Sequence, residues 1–187
     1  MFKVRPQTWL KRFRNDEAGT VMVETVICLP LVFWTLAATY EFFEIHRYAS
    51  ARDKASYTIA DMISREMQPV TPVYMDNAKT VFDMISNDDG NNQLRVTIVK
   101  YDADEDEYTV KWSEVRGTGG MAVLDDADVE ADRARLPIMD DGEEVIVIDG
   151  VSLYAPLFSL GLIDPTIIQS RVLSSPRFAP QIVWEDA

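Results

Sequence analysis

The stretch GTVMVETVICLPLVFWTLAATY, residues 19–40, decides how this chain is organised. Residues 21–40 form an apolar run of 20 residues in which Glu24 is the only charge. As a helix this run would be about 30 Å long, at roughly 1.5 Å per residue, which matches the hydrocarbon core of a bilayer. The other apolar runs of the chain, such as 145–148, are no longer than strands. The sequence therefore predicts one membrane-spanning helix, over residues 20–43.

The charge on the two sides of this run is uneven. Residues 1–19 carry five basic and two acidic side chains, whereas residues 20–187 carry 13 basic and 29 acidic ones. The net charge of −13 argues against a nucleic-acid partner, because phosphate binding needs a basic surface. Cations gather on the cytoplasmic side of membrane helices. We therefore predict a basic cytoplasmic leader, residues 1–19, and an acidic domain on the other side of the membrane.

Three kinds of segment fit a basic stretch followed by an apolar run. A secretory signal peptide has an apolar region of roughly 7–15 residues that ends at small residues. Here the run is longer, and residues 36–38, Leu-Ala-Ala, make only a weak cleavage site. An uncleaved anchor fits the length but leaves Glu24 unexplained, since a carboxylate near the centre of a membrane helix costs roughly 2.5–3.5 kcal/mol. A third kind, the processed subunit of a membrane assembly, accounts for both features.

The residues around Glu24 resemble a known processing site. In GTVMVE, residues 19–24, a glycine ends the basic leader and Glu24 is the fifth residue after it. This is similar to the site of type IV prepilins, where a membrane aspartyl peptidase cuts after the glycine. The wider stretch FRNDEAGTVMVETVICLP, residues 13–30, resembles the TadE/TadG-like minor pilins of the tight-adherence (Tad, or Flp) type IV pilus system. The residues that carry the resemblance are Gly19, Val23, Glu24, Leu29 and Pro30.

The resemblance implies a minor pilin or pseudopilin, a non-enzymatic subunit for pilus assembly and surface adhesion. It implies cleavage between Gly19 and Thr20, and pairing of Glu24 with the N-terminal amine of a neighbouring subunit. The implied partners are inner-membrane lipid, the prepilin peptidase, other pilin subunits and the Tad assembly platform.

The implied location is the bacterial inner membrane, crossed once, with the N-terminus in the cytoplasm and the C-terminal domain in the periplasm or, after assembly, in the extracellular pilus. The alternative hypothesis is an uncleaved single-pass anchor that presents an extracytoplasmic binding domain.

Beyond the apolar run, the pattern predicts an α+β domain. Apolar residues recur at three- and four-residue steps, so the helix should continue as a stalk to about residue 66. Thr71 and Pro72 fit the N-cap and first position of a second helix, which should reach about Ser86 and stop at residues 87–90.

The remaining pattern is that of a sheet. Alternating residues predict a hairpin of strands 94–99 and 108–112 around an acidic tip, residues 102–106. The expected architecture is therefore a long N-terminal helix packed on an antiparallel sheet, with a head over residues 67–187. Further strands are predicted at 144–148, 151–154, 167–173 and 181–184, and a short helix at 127–135.

The acidic tip matches a calcium loop only in part. Asp102, Asp104 and Asp106 match its first half, but Glu107 stands where glycine is needed and Ser113 where a bidentate glutamate is needed. An EF-hand is therefore excluded. Looser calcium binding, at this tip or at the aspartates of 125–128 and 140–141, stays open, although acidic runs are more often solvated surface.

The sequence offers no set of catalytic residues. His46, the only histidine, falls near the membrane without a nucleophile at a recognisable spacing, which favours a structural imidazole. Cys28, the only cysteine, falls inside the apolar run, where it packs as a small apolar residue. We therefore predict a chain with no enzymatic activity, no cofactor and no metal site.

Overall fold

The computed structural model describes Arg14 and residues 19–87, 92–158 and 164–186. The three ranges contain three α-helices, one 3₁₀ turn and four strands. They form an α+β fold in which a long N-terminal helix packs on an antiparallel sheet, as the sequence predicts. In chain order the elements are α1 (Thr20–Ser64), α2 (Pro72–Ser86), β1 (Asn92–Asp102), β2 (Glu107–Arg116), α3 (Asp126–Ala131), the 3₁₀ turn (Arg133–Arg135), β3 (Glu144–Tyr154) and β4 (Thr166–Ser174).

Helix α1 has 45 residues and is about 68 Å long at 1.5 Å per residue. Its predicted end near residue 66 is confirmed, since it ends at Ser64. Every residue from 20 to 36 is exposed, and the first buried residue is Glu41. Further along, Ala55, Ile59 and Ile63 recur at four-residue steps and are fully buried. Helix α1 therefore has an unpacked first half and a second half that belongs to the head.

Helix α2 begins where the sequence predicts. The Oγ1 atom of Thr71 accepts a hydrogen bond from the backbone N–H of Tyr74 at 3.2 Å, and Pro72 occupies the first turn, where a missing N–H costs nothing. The helix ends at Ser86, and Asn87 follows in the left-handed conformation with φ 52°. The rest of the predicted stop, residues 88–90, lies outside the described residues.

The sheet has the strand order β2-β1-β3-β4, and all neighbours are antiparallel. The predicted hairpin is confirmed as β1 and β2, which are paired from Leu94 with Arg116 to Asp102 with Glu107. An irregularity in the register at Ile98 bends the pair. Helix α1 contacts α2, β3 and β4, so one face of the sheet is covered by the two long helices.

The prediction of two strands at 144–148 and 151–154 is wrong, because these residues form one continuous strand, β3. Asp149 and Gly150 suggest a turn by residue type. In the sheet, however, Asp149 lies opposite Arg95 on β1 and Arg171 on β4, so its carboxylate is paired on both sides. The ladder therefore passes through both residues.

The prediction of a strand at 181–184 is also wrong. Within this segment Trp184 makes an isolated parallel bridge with Val70. Two backbone hydrogen bonds join the segment to Val70, at 2.8 and 3.0 Å. Side chains hold it as well: Ile182 is buried, its N–H donates to Glu144 at 2.9 Å, and its carbonyl accepts from Trp112 Nε1 at 2.9 Å. The helix predicted at 127–135 is divided into α3 and the 3₁₀ turn.

Apolar side chains are buried on both faces of the sheet. The larger core lies between the sheet and helices α1 and α2, and a smaller one lies beneath α3 and the loop that follows it. The two faces alternate along β1, where Val96 and Ile98 belong to the larger core and Val99, after the bulge, to the smaller one. The head therefore has a packed interior of its own.

We predict that Gly150→Ala destabilises the head. A Cβ at this position would lie 2.6 Å from Ser170 Oγ and 2.8 Å from Phe82 Cζ, so the side chains of Ser170 and Phe82, both buried, would have to shift. Overpacking of this kind costs about 1–3 kcal/mol. Chemical denaturation of the full chain in detergent measures the loss. The matched control is Gly120→Ala, because no described atom lies within 4 Å of its Cβ position, and an equal loss in both variants would contradict the prediction.

Candidate functional site

The predicted processing site lies at the first turn of α1. Gly19 is the residue before the helix, and its carbonyl accepts a hydrogen bond from the N–H of Val23 at 3.1 Å. Gly19 and Thr20 are both exposed, and no described atom lies within 4 Å of the position a Cβ would take at Gly19. Of the predicted leader before Gly19, the structure describes only Arg14. The bond between Gly19 and Thr20 is therefore open to solvent with respect to the described residues.

Glu24 lies one helical turn beyond Thr20. Residues four apart on a helix are neighbours on the same face, so Glu24 and Thr20 lie on one face of α1. Glu24 is exposed, as are Val23 and Leu29. The structure therefore places these predicted residues on an unpacked helical surface.

Pro30 lies inside α1, and the helix continues through it. Its missing N–H removes the hydrogen bond that the carbonyl of Val26 would accept, which loosens the helix at this point. Three threonine hydroxyls in the same half of α1 donate to carbonyls four residues earlier: Thr25, Thr35 and Thr39. Their polar atoms are thereby satisfied within the helix, as an apolar surrounding requires.

The first half of α1 is also the part of the described chain that could cross a membrane. Its most apolar 18-residue window has a mean hydropathy of 2.0, and none of that window is buried. Large side chains such as Met22, Phe33 and Leu36 are more than half exposed. A contiguous apolar surface of this size marks a membrane or protein contact, because its exposure to water is unfavourable.

The first buried residue of α1, Glu41, joins the helix to the head. Its side chain is 1% exposed, and its two oxygens accept hydrogen bonds from the hydroxyl of Tyr154 and the backbone N–H of Phe158, both at 2.8 Å. Burial and the hydrogen bond to Glu41 raise the pKa of Tyr154 to about 12. We call this arrangement the Glu41 clamp.

Sequence reasoning missed the Glu41 clamp. Glu41 falls inside the predicted span 20–43, where a carboxylate needs a partner, and this was the available signal. Its partners, however, are 113 and 117 residues away in the sequence. Nothing local to Glu41 could have identified them.

Two further side chains join α1 to the head, about two and three turns beyond Glu41. Tyr48 donates its hydroxyl to the carbonyl of Leu153 at 3.2 Å, and its ring packs edge-on against Tyr154 with 5.1 Å between centroids. Arg52 is 1% exposed and donates to the carbonyl of Tyr48 at 3.0 Å and to the side chain of Asn92 at 3.4 Å. Several polar contacts therefore fix the position of the head along the axis of α1.

The aromatic side chains near the outer end of the predicted span differ in what they contact. Tyr48 packs on the head, as described above, whereas Phe42 and Phe43 are more than half exposed. Tyr40 is 48% exposed and contacts Phe158. His46 is exposed and lies edge-on to Phe42 at 4.6 Å, and Cys28 is exposed on the apolar half of α1.

A second polar feature is a cleft on the face of the sheet that α1 does not cover. It has a volume of about 710 Å³ and is lined by Arg95, Arg135, Asp149 and Arg171, among others. Asp149 is buried and accepts hydrogen bonds from Arg95 at 2.7 Å and from Arg171 at 2.6 Å. Because these two guanidinium groups already share one carboxylate, we assign them to joining β1, β3 and β4.

The acidic tip is held by hydrogen bonds within the head. Asp102 accepts from the backbone N–H groups of Asp104 and Glu105, and Asp106 is bonded to Tyr101 and Arg133. These contacts hold the pKa of Asp106 below its usual value. Among the described residues, no group of three or more histidine, cysteine, aspartate or glutamate side chains could hold a metal ion.

The fold and these contacts define an α+β protein with one candidate membrane-spanning helix, joined to a head by buried polar contacts at its outer end. Comparisons with protein-family models, curated proteins and solved structures gave no match.

We predict that Tyr154→Phe weakens the attachment of α1 to the head. The substitution removes one of the two hydrogen bonds to a buried carboxylate, and such a loss costs about 1–3 kcal/mol. Chemical denaturation of the full chain in detergent measures it. Tyr57→Phe is the matched control, because Tyr57 is an exposed tyrosine on the same helix. A loss no larger than that of the control would show that the Glu41 clamp adds no stability.

Proposed function

We propose that this chain is a minor pilin or pseudopilin of a tight-adherence type pilus, a non-enzymatic subunit for pilus assembly and surface adhesion. The observation that carries the proposal is the start of α1. There an open glycine–threonine bond is followed, one turn later, by Glu24 on an apolar helix surface on which no residue is buried. The resemblance of GTVMVE to prepilin processing sites supports the same conclusion.

The physical argument rests on Glu24. A carboxylate on an apolar helix surface is costly in lipid unless it has a partner. Cleavage between Gly19 and Thr20 would give Thr20 a free α-amine, one helical turn away from Glu24 along the chain. In an assembly of parallel subunits, the amine of one chain can pair with Glu24 of its neighbour. This pairing would align the two helices along their axes.

The proposal includes a location and partners. The chain crosses the bacterial inner membrane once, with the basic leader in the cytoplasm and the acidic head in the periplasm, because basic flanking residues favour the cytoplasmic side. Prepilin peptidase acts on the leader. Membrane lipid, other pilin subunits and the Tad assembly platform cover the apolar half of α1.

The first test is the N-terminus of the mature chain. We expect N-terminal sequencing and intact mass of the membrane-bound protein to give a chain that begins at Thr20. Gly19→Leu should block the cut, because in the prepilins that this stretch resembles the peptidase cuts after a glycine. An intact leader on the unaltered chain, in cells with an active prepilin peptidase, would favour the uncleaved single-pass anchor instead.

The second test separates assembly from processing. We expect Glu24→Ala to be cleaved normally but to reduce the recovery of the subunit in sheared fibres or in cross-linked complexes with other pilins. Glu44→Ala is the matched control, because it removes a carboxylate from the same helix beyond the predicted span. If Glu24→Ala cells make fibres as control cells do, Glu24 has no pairing role.

A further inference from the structure

The segment that follows β3, residues 155–158, presents apolar side chains beside the unpacked half of α1. Leu157 is 69% exposed and Phe158 is 42% exposed. The ring of Phe158 packs edge-on against Tyr40 of α1 with 5.9 Å between centroids. Between this segment and α1 lies an open groove whose walls include Phe33, Trp34 and Leu157. We call it the apolar groove.

The Glu41 clamp fixes where this segment lies along α1. Glu41 binds the N–H of Phe158, so residue 158 is held at the level of the helix where the apolar run ends. Phe33 is eight residues before Glu41, which places it about 12 Å nearer the middle of the run at 1.5 Å per residue. The apolar groove therefore runs along the outer end of the predicted span.

We propose that residues 155–158 enter the lipid leaflet on the head side of the membrane, and that a lipid acyl chain fills the apolar groove. The proposal rests on the membrane-spanning role of α1 in the proposed function. One wall of the groove is α1 itself, in its predicted span, so lipid that surrounds α1 also reaches the groove. Apolar side chains that lie in an interface of this kind enter the headgroup and acyl boundary by about 5–10 Å.

Two backbone positions of the segment, Pro156 and Phe158, agree with a lipid surrounding. A backbone N–H in lipid needs an internal partner, and that of Phe158 donates to Glu41. Pro156 has no N–H to satisfy. The hydroxyl of Tyr154 is directed at the same carboxylate. The Glu41 clamp therefore turns polar groups towards α1, while Leu157 is left on the outside.

The aromatic residues at this level agree as well. Trp34 and Tyr40 line the groove, and tryptophan and tyrosine are enriched where membrane helices leave the hydrocarbon. The head would thus touch the membrane at two points: through α1 and through residues 155–158. Two contacts with the membrane restrict the tilt of the head, whereas a single helix would leave that tilt unrestricted.

Depth-dependent quenching in lipid vesicles tests the proposal. The full chain is reconstituted in phosphatidylcholine–phosphatidylglycerol vesicles, and Leu157→Cys is labelled with an environment-sensitive fluorophore in a Cys28→Ser background. Ile138→Cys in the same background is the matched control, because Ile138 is a fully exposed apolar residue of the head and lies outside the groove. The unaltered chain labelled at Cys28 reports on the span itself.

We expect nitroxide carried on lipid acyl chains to quench the label at residue 157 several-fold more strongly than that at 138, and aqueous iodide to do the reverse. Strong lipid quenching at residue 28 with iodide quenching at 157 equal to that at 138 would overturn this proposal and leave the membrane span intact. Absence of lipid quenching at residue 28 would instead overturn the membrane span, and this proposal with it.

A second copy of the chain in the groove gives a different result. The label at residue 157 would then be protected from iodide but not quenched by lipid nitroxide, and its emission would change with the protein-to-lipid ratio. That outcome would also overturn the proposal, because the occupant would be protein and not an acyl chain.

Discussion

One continuous helix has an exposed apolar half and a half that is packed in the head. The rest of the structure depends on how the helix accommodates both. Helix α1 continues over 45 residues, yet no residue from 20 to 36 is buried, whereas Ala55, Ile59 and Ile63 are fully buried. A helix can meet both conditions because its main-chain groups are paired internally whatever surrounds it. The side chains alone then determine which half is left exposed and which half joins the head.

The change from one surrounding to the other occurs at Glu41. Carboxylates are rarely buried, because their charge loses solvation, unless donors replace the lost water. Here the donors come from residues 154 and 158, on the chain that leaves β3. Tyr48 and Arg52 add further polar contacts about two and three turns beyond Glu41. Polar contacts of this kind are directional, so they fix the position of the head along α1 in a way that apolar packing alone would not.

Local signals predicted most of the fold. The length and period of α1, the N-cap at Thr71 and the β1–β2 hairpin are encoded by neighbouring residues, and the structure has all three. The failures have distant causes. β3 continues through Asp149 because of arginines on two other strands. In the candidate site, the predicted residues lie on an open helix surface. Cleavage at Gly19 and pairing by Glu24 stay predictions. The Glu41 clamp was missed because its partners are remote in sequence.

The position of Pro30 in α1 determines how far a bend at this residue displaces the head. It lies 11 residues before Glu41, on the side of that residue where α1 is exposed, so the head and the outer part of the helix form a single arm above it. From Pro30 to Ser64 that arm is about 51 Å long at 1.5 Å per residue. A bend of about 10° at the weakened turn would sweep its far end sideways by about 9 Å. A small change of angle within the apolar half is thereby amplified into a large displacement of the head.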